Sequence, residues 1–390
     1  MIVSLIKKLN NSNILLIFLF WRLFLFLPLF FSEHFLKFRK GFEYVSSLSY
    51  INSQNPVNHF LWNPWANFDA IHYLSIATYG YTLYNAVFFP LFPLIIRVLA
   101  FPLGVTKILE PGQFFIALTL VSIFFFLSLI FLYRLVRFDF KKNIGIQTIL
   151  LILVFPTSFF FATIYSESLF FLLLILSFYC ARKKNWVLTG VFSAFLATSR
   201  FVGIAIFPAL VYEFWKSEKT IFKKSFISVL LGPLGLISYA WFNFFMWKNP
   251  LHFVQAQEWF ANNRSTHAIV LLPQTLFRYF KILSTLPVSQ YEWWIALLEF
   301  TIFIFVCVMF FIAWRKKVRE SYLIFAFIAF LIPTLTGTFI GLPRYVIPLF
   351  PVFIALALIK NKFAKIAYFV TGIVLLIILF ALFSKGYFIA

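Results

Sequence analysis

Residues 82–104 read TLYNAVFFPLFPLIIRVLAFPLG, and the placement of this segment decides the topology of the whole chain. The segment is apolar enough to cross a membrane, since runs of about 20 apolar residues are typical of spanning helices. Proline breaks a helix interior and arginine is costly inside a bilayer, and both residue types interrupt the segment: Pro90, Pro93, Arg97 and Pro102. The segment alone therefore leaves two topologies open: it either spans the membrane or lies at the membrane surface.

The composition of the chain places it in a membrane. Of its 390 residues, 63% are hydrophobic and only 12% are charged. A soluble domain of this length could not keep such a surface in water, so the sequence predicts an all-α, polytopic membrane protein. The net charge of +21 has a membrane explanation in basic inner loops, and we predict no nucleic-acid partner. Cys180 and Cys307 lie in apolar runs, which supports neither a disulfide nor a cysteine metal site.

Eleven apolar segments are predicted as membrane spans from their length and their boundaries. They are 12–32, 112–133, 144–164, 167–181, 186–199, 201–213, 225–247, 291–314, 321–340, 345–360 and 363–383. The first has a basic start and no small-residue cleavage site, so we predict a retained span and not a cleaved signal peptide. The stretch 186–213 is too long for one span, and we place Arg200 at a turn between two short helices.

The distribution of lysine and arginine decides between the two topologies. If 82–104 stays at the membrane surface, short loops on the cytoplasmic side hold most of the 33 basic residues. If 82–104 spans, the basic clusters at 134–142 and 182–184 move outside, contrary to the positive-inside rule. We therefore predict a cytoplasmic N-terminus, an extracytoplasmic C-terminus, and two long outer loops at 33–111 and 248–290.

The chain is predicted to form one integral membrane domain over residues 1–390. The core is 1–247, which carries the first outer loop, and the second outer loop separates it from the C-terminal helices, 291–390. The predicted location is a cell membrane. Most acidic residues fall on the outer side in this topology, so we expect any chemistry to take place on the extracytoplasmic side.

Asp69 is the candidate for chemistry in the first outer loop. The apolar spacing after it predicts a short amphipathic helix at the membrane interface, and His72 shares a helical face with Asp69 because it lies three residues further on. A purely structural alternative is also open at this point. Asp69 would then only cap the helix, and the surrounding aromatic residues would only anchor it at the depth of the lipid headgroups.

Three further charged residues fall at outer ends of predicted spans: Glu167, Arg200 and Arg344. The structural alternative for Glu167 is a favourable position in a first helical turn, behind a capping Ser166. For the two arginines the alternative is snorkelling to lipid headgroups.

The inventory of side chains favours one class of reaction. The chain has no Gly-rich phosphate loop, no HExxH and only five scattered histidines, so we expect no metal and no other cofactor. Transfer of a sugar from a lipid phosphate needs a base for the acceptor hydroxyl and cations for the departing phosphate. Phosphate leaves without protonation, so a single carboxylate suffices. Asp69 fits the base, and the outer arginines fit the phosphate contacts.

Four blocks of the sequence resemble one family, the PIG-V type mannosyltransferases. They are FDAIHYLSIATYGY at 68–81, AVFFPLFPLIIRVL at 86–99, the stretch 165–210, and LPRYVIPLFPVFIALA at 342–357. Phe68 departs from the family pattern, which often has Trp there. The resemblance implies a GT-C fold with juxtamembrane helices in the first outer loop, and an inverting, metal-independent transferase with Asp69 as the catalytic carboxylate. It also implies mannose, or a related hexose, on a polyprenyl-phosphate donor.

From this resemblance and the residues together, we expect a hexosyltransferase acting on a glycan, glycolipid or protein acceptor among membrane lipids. Asp69 is the predicted general base, and the predicted substrate-binding residues are His72, Glu167, Arg200, Arg344 and Tyr345. Two alternatives remain open, a transporter or flippase of lipid-linked saccharides and a non-catalytic subunit of a glycolipid-assembly complex. The sequence indicates no particular protein partner.

Overall fold

The computed structural model describes residues 11–42, 46–47, 60–260 and 264–389. This part of the chain is helical and contains no β-strand, apart from an isolated bridge between Val270 and Thr336. The predicted all-α architecture is therefore confirmed.

The described part of the chain up to residue 247 contains eleven helices, including short helices in the first long loop. They are α1 Asn11–Phe24, α2 Phe26–Phe35, α3 Asp69–Tyr79, α4 Leu91–Ala100, α5 Pro111–Val136, α6 Lys142–Leu153, α7 Glu167–Arg182, α8 Trp186–Ser199, α9 Ile206–Glu218, α10 Phe226–Val229 and α11 Leu231–Trp247. Short 3-10 turns connect them at Asn63–Trp65, Tyr84–Val87, Phe101–Leu103, Ser158–Phe161 and Phe201–Ala205. These bounds hold for the described residues.

The second long loop and the C-terminal region add eight described helices. They are α12 His252–Gln255, α13 Gln257–Phe260, α14 Leu272–Thr285, α15 Tyr291–Arg315, α16 Glu320–Thr334, α17 Leu342–Val346, α18 Phe350–Ala357 and α19 Lys362–Ser384.

Five stretches of helix in the described chain are long and apolar enough to cross a membrane. They are Asn13–Phe35, Pro111–Val136, Phe226–Trp247, Tyr291–Arg315 and Lys362–Ser384. Each coincides with a predicted span. Several of the other predicted spans are shorter apolar helices, so the chain is a multi-pass membrane protein, and the count of eleven spans stays a prediction.

The segment 82–104 does not form a spanning helix. Its longest helix, α4, has 10 residues and is therefore about 15 Å long, half of the hydrocarbon thickness of a bilayer. Arg200 has an extended backbone between α8 and the following 3-10 turn, so the predicted turn at this residue is confirmed.

The predicted helix 144–164 is wrong in its second half, because α6 ends at Leu153. Pro156 follows within the next turn, and side chains from elsewhere satisfy the released backbone groups. Trp21 Nε1 donates to the Leu153 carbonyl at 3.0 Å, and Arg22 Nη1 donates to the Ala162 carbonyl at 2.9 Å. The irregular stretch 154–166 is thereby stabilised inside the protein.

Two predicted C-terminal spans are also interrupted. The segment 321–340 is helical only as far as Thr334, and 345–360 is divided between α17 and α18. Pro348 lies between α17 and α18, where its missing N–H prevents a continuous ladder of helical hydrogen bonds. Each interruption leaves a loop beside the charged residues described below.

Close packing of α8 on the segment 226–247 fixes the middle of the bundle. A Cβ atom at Gly190 would clash with the carbonyl of Ser228, and one at Gly235 would clash with the carbonyl of Ala194. Only glycine allows the two backbones to approach so closely. This contact fixes the position of α8, whose last residue is followed by Arg200.

Two clusters of charged residues lie at opposite ends of α7. We call them the Asp69 cluster and the Asp139 cluster. The first contains Asp69, Glu167, Arg200 and Arg344, and the second contains Asp139, Arg182, Glu213 and Arg319. The 16 residues of α7 begin at Glu167 and end at Arg182, which separates the clusters by about 24 Å along the helix.

Candidate active site

The backbone in front of Asp69 has an unusual conformation. Phe68 has φ 50° and ψ −115°, a region that bulky side chains rarely adopt. The Tyr165 hydroxyl stabilises this turn from both sides, because it accepts from the Asp69 N–H at 3.3 Å and donates to the Asn67 carbonyl at 3.0 Å. The Phe68 ring packs on Phe383, with 5.3 Å between ring centroids. Asp69 is thus held at the first residue of α3.

Arg344 joins Asp69 to Glu167. Its Nη1 donates to Asp69 Oδ2 at 2.6 Å, and its Nε lies 2.9 Å from Glu167 Oε1. The second contact is an ion pair without hydrogen-bond geometry, because the Nε–H has no acceptor among the described residues. The guanidinium carbon also lies 5.3 Å from the centre of the Tyr165 ring. Side-chain exposure is only 13% for Arg344 and 22% for Asp69, so this pair is largely shielded from solvent.

Arg200 forms an ion pair with Glu167 from the other side. Its guanidinium carbon lies 5.3 Å from the centre of the Tyr345 ring, and its side chain is 12% exposed. Glu167 is 3% exposed and therefore pairs with two arginines inside the protein. Its Oε2 atom has no hydrogen-bond partner in the described part of the chain.

These contacts bear on the structural alternatives that the sequence left open, and Glu167 does lie in the first turn of α7. Asp69 does not cap α3, since the N-cap is Phe68. Ser166 is the N-cap residue of α7, but its side chain makes no cap bond and instead contacts the Tyr73 hydroxyl at 2.8 Å. Arg200 and Arg344 are buried against carboxylates and do not snorkel outward.

A small cavity lies between the paired charges. Its lining is Glu167, Phe170, Arg200, Val202, Arg344, Tyr345 and Pro348. The space is about 10 Å³, close to that of one water molecule. A buried polar atom without a partner costs about 1–3 kcal/mol, and two such atoms, Glu167 Oε2 and Arg344 Nε, belong to residues of this lining. The arrangement is suited to a polar ligand.

His72 lies on α3 beside the cluster. Its ring stacks on Phe88, with centroids 4.8 Å apart and 14° between the planes. Burial lowers the pKa of His72 below its ordinary value, and the negative charge of Asp69 opposes part of this shift. The imidazole is therefore neutral near neutral pH, and it presents an aromatic face and not a positive charge.

Arg264 is a member of the site that sequence reasoning missed. Its Nη2 donates to the Ile340 carbonyl at 2.6 Å, and its Nη1 donates to the Tyr345 hydroxyl at 3.3 Å. The guanidinium carbon lies 5.5 Å from the centre of the Tyr345 ring. Nothing in the local sequence around Arg264 distinguishes it from a surface arginine, so only the fold reveals this contact.

The charged residues predicted from sequence thus meet at one place. Asp69, Glu167, Arg200 and Arg344 are linked by ion pairs, and Tyr345 lines the same cavity. Within the described residues, no group of three or more His, Cys, Asp or Glu side chains could hold a metal ion. The reaction without a metal stays a prediction.

The fold and the site define a multi-pass membrane protein with a largely buried group of carboxylates and arginines, the Asp69 cluster. In the predicted topology, this cluster belongs to the outer side. The sequence matches the mannosyltransferase (PIG-V) family over residues 11–231, more than half of the chain. The chain therefore belongs to the PIG-V mannosyltransferase family, which confirms the resemblance. The matched range contains Asp69, Glu167 and Arg200.

Comparison with curated proteins found no match. Among solved structures, the chain is similar to an oligosaccharyltransferase of Archaeoglobus fulgidus, crystallised with a tethered acceptor peptide. The two share 12% sequence identity with a TM-score of 0.44. The match covers 81% of this chain and 50% of the other, so this chain spans half of that protein's length.

Proposed function

We propose that the protein is an inverting glycosyltransferase of the GT-C type. It would move mannose, or a related hexose, from a polyprenyl-phosphate donor to a glycan, glycolipid or protein acceptor on the extracytoplasmic side. Membership of the PIG-V mannosyltransferase family supports the transferase class and the sugar. The observation that carries the proposal is the Asp69 cluster, in which carboxylates and arginines meet beside a cavity with unpartnered polar atoms.

In the proposed reaction, an acceptor hydroxyl attacks the anomeric carbon of the donor sugar on the face opposite the phosphate. The bond from this carbon to the phosphate oxygen breaks, and the phosphate leaves with the electron pair. The hydroxyl proton goes to the carboxylate of Asp69, which acts as general base. Phosphate is a stable anion, so no carboxylic acid is needed to protonate it, unlike the alkoxide that leaves in glycoside hydrolysis.

The other residues of the site have supporting roles in this proposal. Arg200 and Arg344 stabilise the departing phosphate, because guanidinium groups form paired, charge-assisted hydrogen bonds with phosphate oxygens. Glu167, His72 and Tyr345 shape the sugar pocket. The cavity has room for about one water molecule, so donor binding would require its walls to move apart. No metal takes part in the proposed chemistry.

The experiment that tests this function is sugar transfer from radiolabelled polyprenyl-phosphate-mannose in proteoliposomes, with the wild type beside Asp69→Asn. Removal of a general base lowers the rate by about 10²–10⁴-fold, whereas the amide keeps the shape of the side chain. We expect labelled product from the wild type and essentially none from the variant, at equal thermal unfolding temperatures. Full activity of a stably folded Asp69→Asn protein would remove Asp69 from the role of base.

A further inference from the structure

The three arginines of the site differ in how their charges are neutralised. Arg344 contacts the carboxylates of Asp69 and Glu167, and Arg200 contacts Glu167. No carboxylate of the described residues lies within the 4.0 Å ion-pair distance of Arg264. Among the described residues, three guanidinium groups therefore lie beside two carboxylates, and Arg264 is the one without a direct carboxylate contact.

Glu299 interacts with Arg264 electrostatically, but both of its carboxylate oxygens already accept other hydrogen bonds. It lies on α15 and is 2% exposed. Its Oε2 accepts from the Tyr279 hydroxyl at 2.5 Å, and its Oε1 accepts from the Gly341 N–H at 3.2 Å. Glu299 thus holds the loop in front of α17 and makes no ion pair with Arg264.

The guanidinium of Arg264 is directed towards the cavity wall. Two of its nitrogens bond to the neutral oxygens of Ile340 and Tyr345, whereas its Nε is buried and has no acceptor in the described part of the chain. Tyr345 lines the cavity, and Arg200 contacts the same ring. A partly buried cation without an anion is costly, and an anion with several oxygens would compensate both the charge and the free N–H.

We propose that Arg264, in the second long loop, binds the phosphate of the lipid-linked donor together with Arg200. This inference rests on the proposed function, because it takes the donor to be a polyprenyl phosphate. The planar guanidinium fork matches phosphate oxygens in pairs, and a lysine at the same place would supply only a point charge. Donor affinity therefore depends on Arg264, whereas Arg344 also holds Asp69 and Glu167 in place.

The chain provides a matched control in Arg278. Its Nη1 donates to the Gly337 carbonyl at 3.0 Å, so it supports the same connection between α16 and α17 that Arg264 contacts at Ile340. Arg278 has no contact with the Tyr345 ring among the described residues and does not line the cavity. If Arg264 only supported this connection, glutamine at either position would have similar effects.

The test is equilibrium binding of radiolabelled polyprenyl monophosphate, without a sugar, to the full-length protein in nanodiscs. We expect equal dissociation constants for the wild type and Arg278→Gln, and an increase of at least about tenfold for Arg264→Gln, since hydrogen bonds between charged groups are strong. Arg264→Lys should lie between them. If the Arg264→Gln protein is unstable, Arg264→Lys is the variant to measure, because lysine keeps the charge and a similar side-chain length.

Three results would overturn the inference, in two different ways. Unchanged binding by both Arg264 variants, or an equal loss in Arg278→Gln, would show that Arg264 only supports the loop, and the donor class would stand. Absence of binding by the wild type would overturn both the donor class and the role of Arg264. Sugar transfer measured on the same preparations separates the second case from a failure of the transferase assignment itself.

Discussion

The Asp69 cluster and the Asp139 cluster are built from the same charged groups, two carboxylates and two guanidinium groups, at opposite ends of α7. In the Asp139 cluster, Arg319 makes two hydrogen bonds to Glu213, at 2.7 and 2.6 Å, and Ser321 adds a third at 2.7 Å. Arg182 donates to Asp139 at 2.5 Å and to the Tyr322 hydroxyl at 2.9 Å. Here no side-chain polar atom of the four charged residues is both buried and unpartnered.

The Asp69 cluster is less complete, although its residues are equally well enclosed. Glu167 Oε2 and Arg344 Nε have no hydrogen-bond partner in the described structure, and a cavity lies beside them. Fully paired charges specify a fixed arrangement of helices, whereas unpaired ones retain capacity for a ligand. The comparison assigns structural support to the Asp139 cluster and proposes substrate chemistry for the Asp69 cluster.

The largest stability effect is expected in the Asp139 cluster. Glu213→Gln leaves Arg319 with a neutral partner, and removal of one member of a buried pair costs about 3 kcal/mol. We expect a clear fall in the thermal unfolding temperature and an unchanged transfer rate per folded molecule. An unchanged unfolding temperature would show that the cluster contributes little to stability.

A smaller effect, on the transfer rate, is expected from Tyr165→Phe. This change keeps the ring beside Arg344 and removes the hydroxyl that bridges Asn67 and Asp69. The freed Asp69 N–H and the strained turn at Phe68 would let the carboxylate move, so kcat should fall about tenfold with little change in KM. Tyr368→Phe is the control, because its hydroxyl also donates to a carbonyl, that of Leu151, and neither residue belongs to the Asp69 cluster. Equal kcat values for the two variants would remove the positioning role.

The smallest effect concerns the pH dependence of stability. Burial lowers the pKa of His72, which has an ordinary value of 6.5. Below that pH the unfolded chain takes up a proton that the folded protein does not, so stability is complete above it and falls as the pH decreases. The unfolding temperature of the wild type should drop more than that of His72→Gln between about pH 7 and about pH 5.5. Parallel curves would contradict the shift.

The sequence predicted those parts of the molecule that depend on local pattern. Long apolar runs identified the five full-length helices, and the basic loops favoured a segment 82–104 that does not span, in agreement with its short helix. The scarcity of acidic residues singled out Asp69 and Glu167, which the fold brings together. These signals depend on the cost of charged groups and of unpaired backbone groups in a membrane, so they can be recognised from the sequence alone.

Other features depend on contacts between distant parts of the chain. Asp69 and Arg344 are 275 positions apart, and their ion pair follows only from the fold. Helix α6 ends before Pro156, and Trp21 and Arg22 bond to backbone carbonyls at and beyond its last residue, which hydrophobicity alone does not show. Arg264 escaped notice for the same reason, since its partners, Ile340 and Tyr345, lie in a different region.

The central claim is that the Asp69 cluster serves substrate chemistry and the Asp139 cluster serves structural support. Its most direct test compares Asp69→Asn with Glu213→Gln, with sugar transfer and thermal unfolding measured on the same preparations. The account predicts that Asp69→Asn loses transfer at an unfolding temperature near that of the wild type. It predicts that Glu213→Gln unfolds at a lower temperature and retains transfer per folded molecule. Retained transfer in Asp69→Asn, or loss of transfer in a fully folded Glu213→Gln protein, would contradict it.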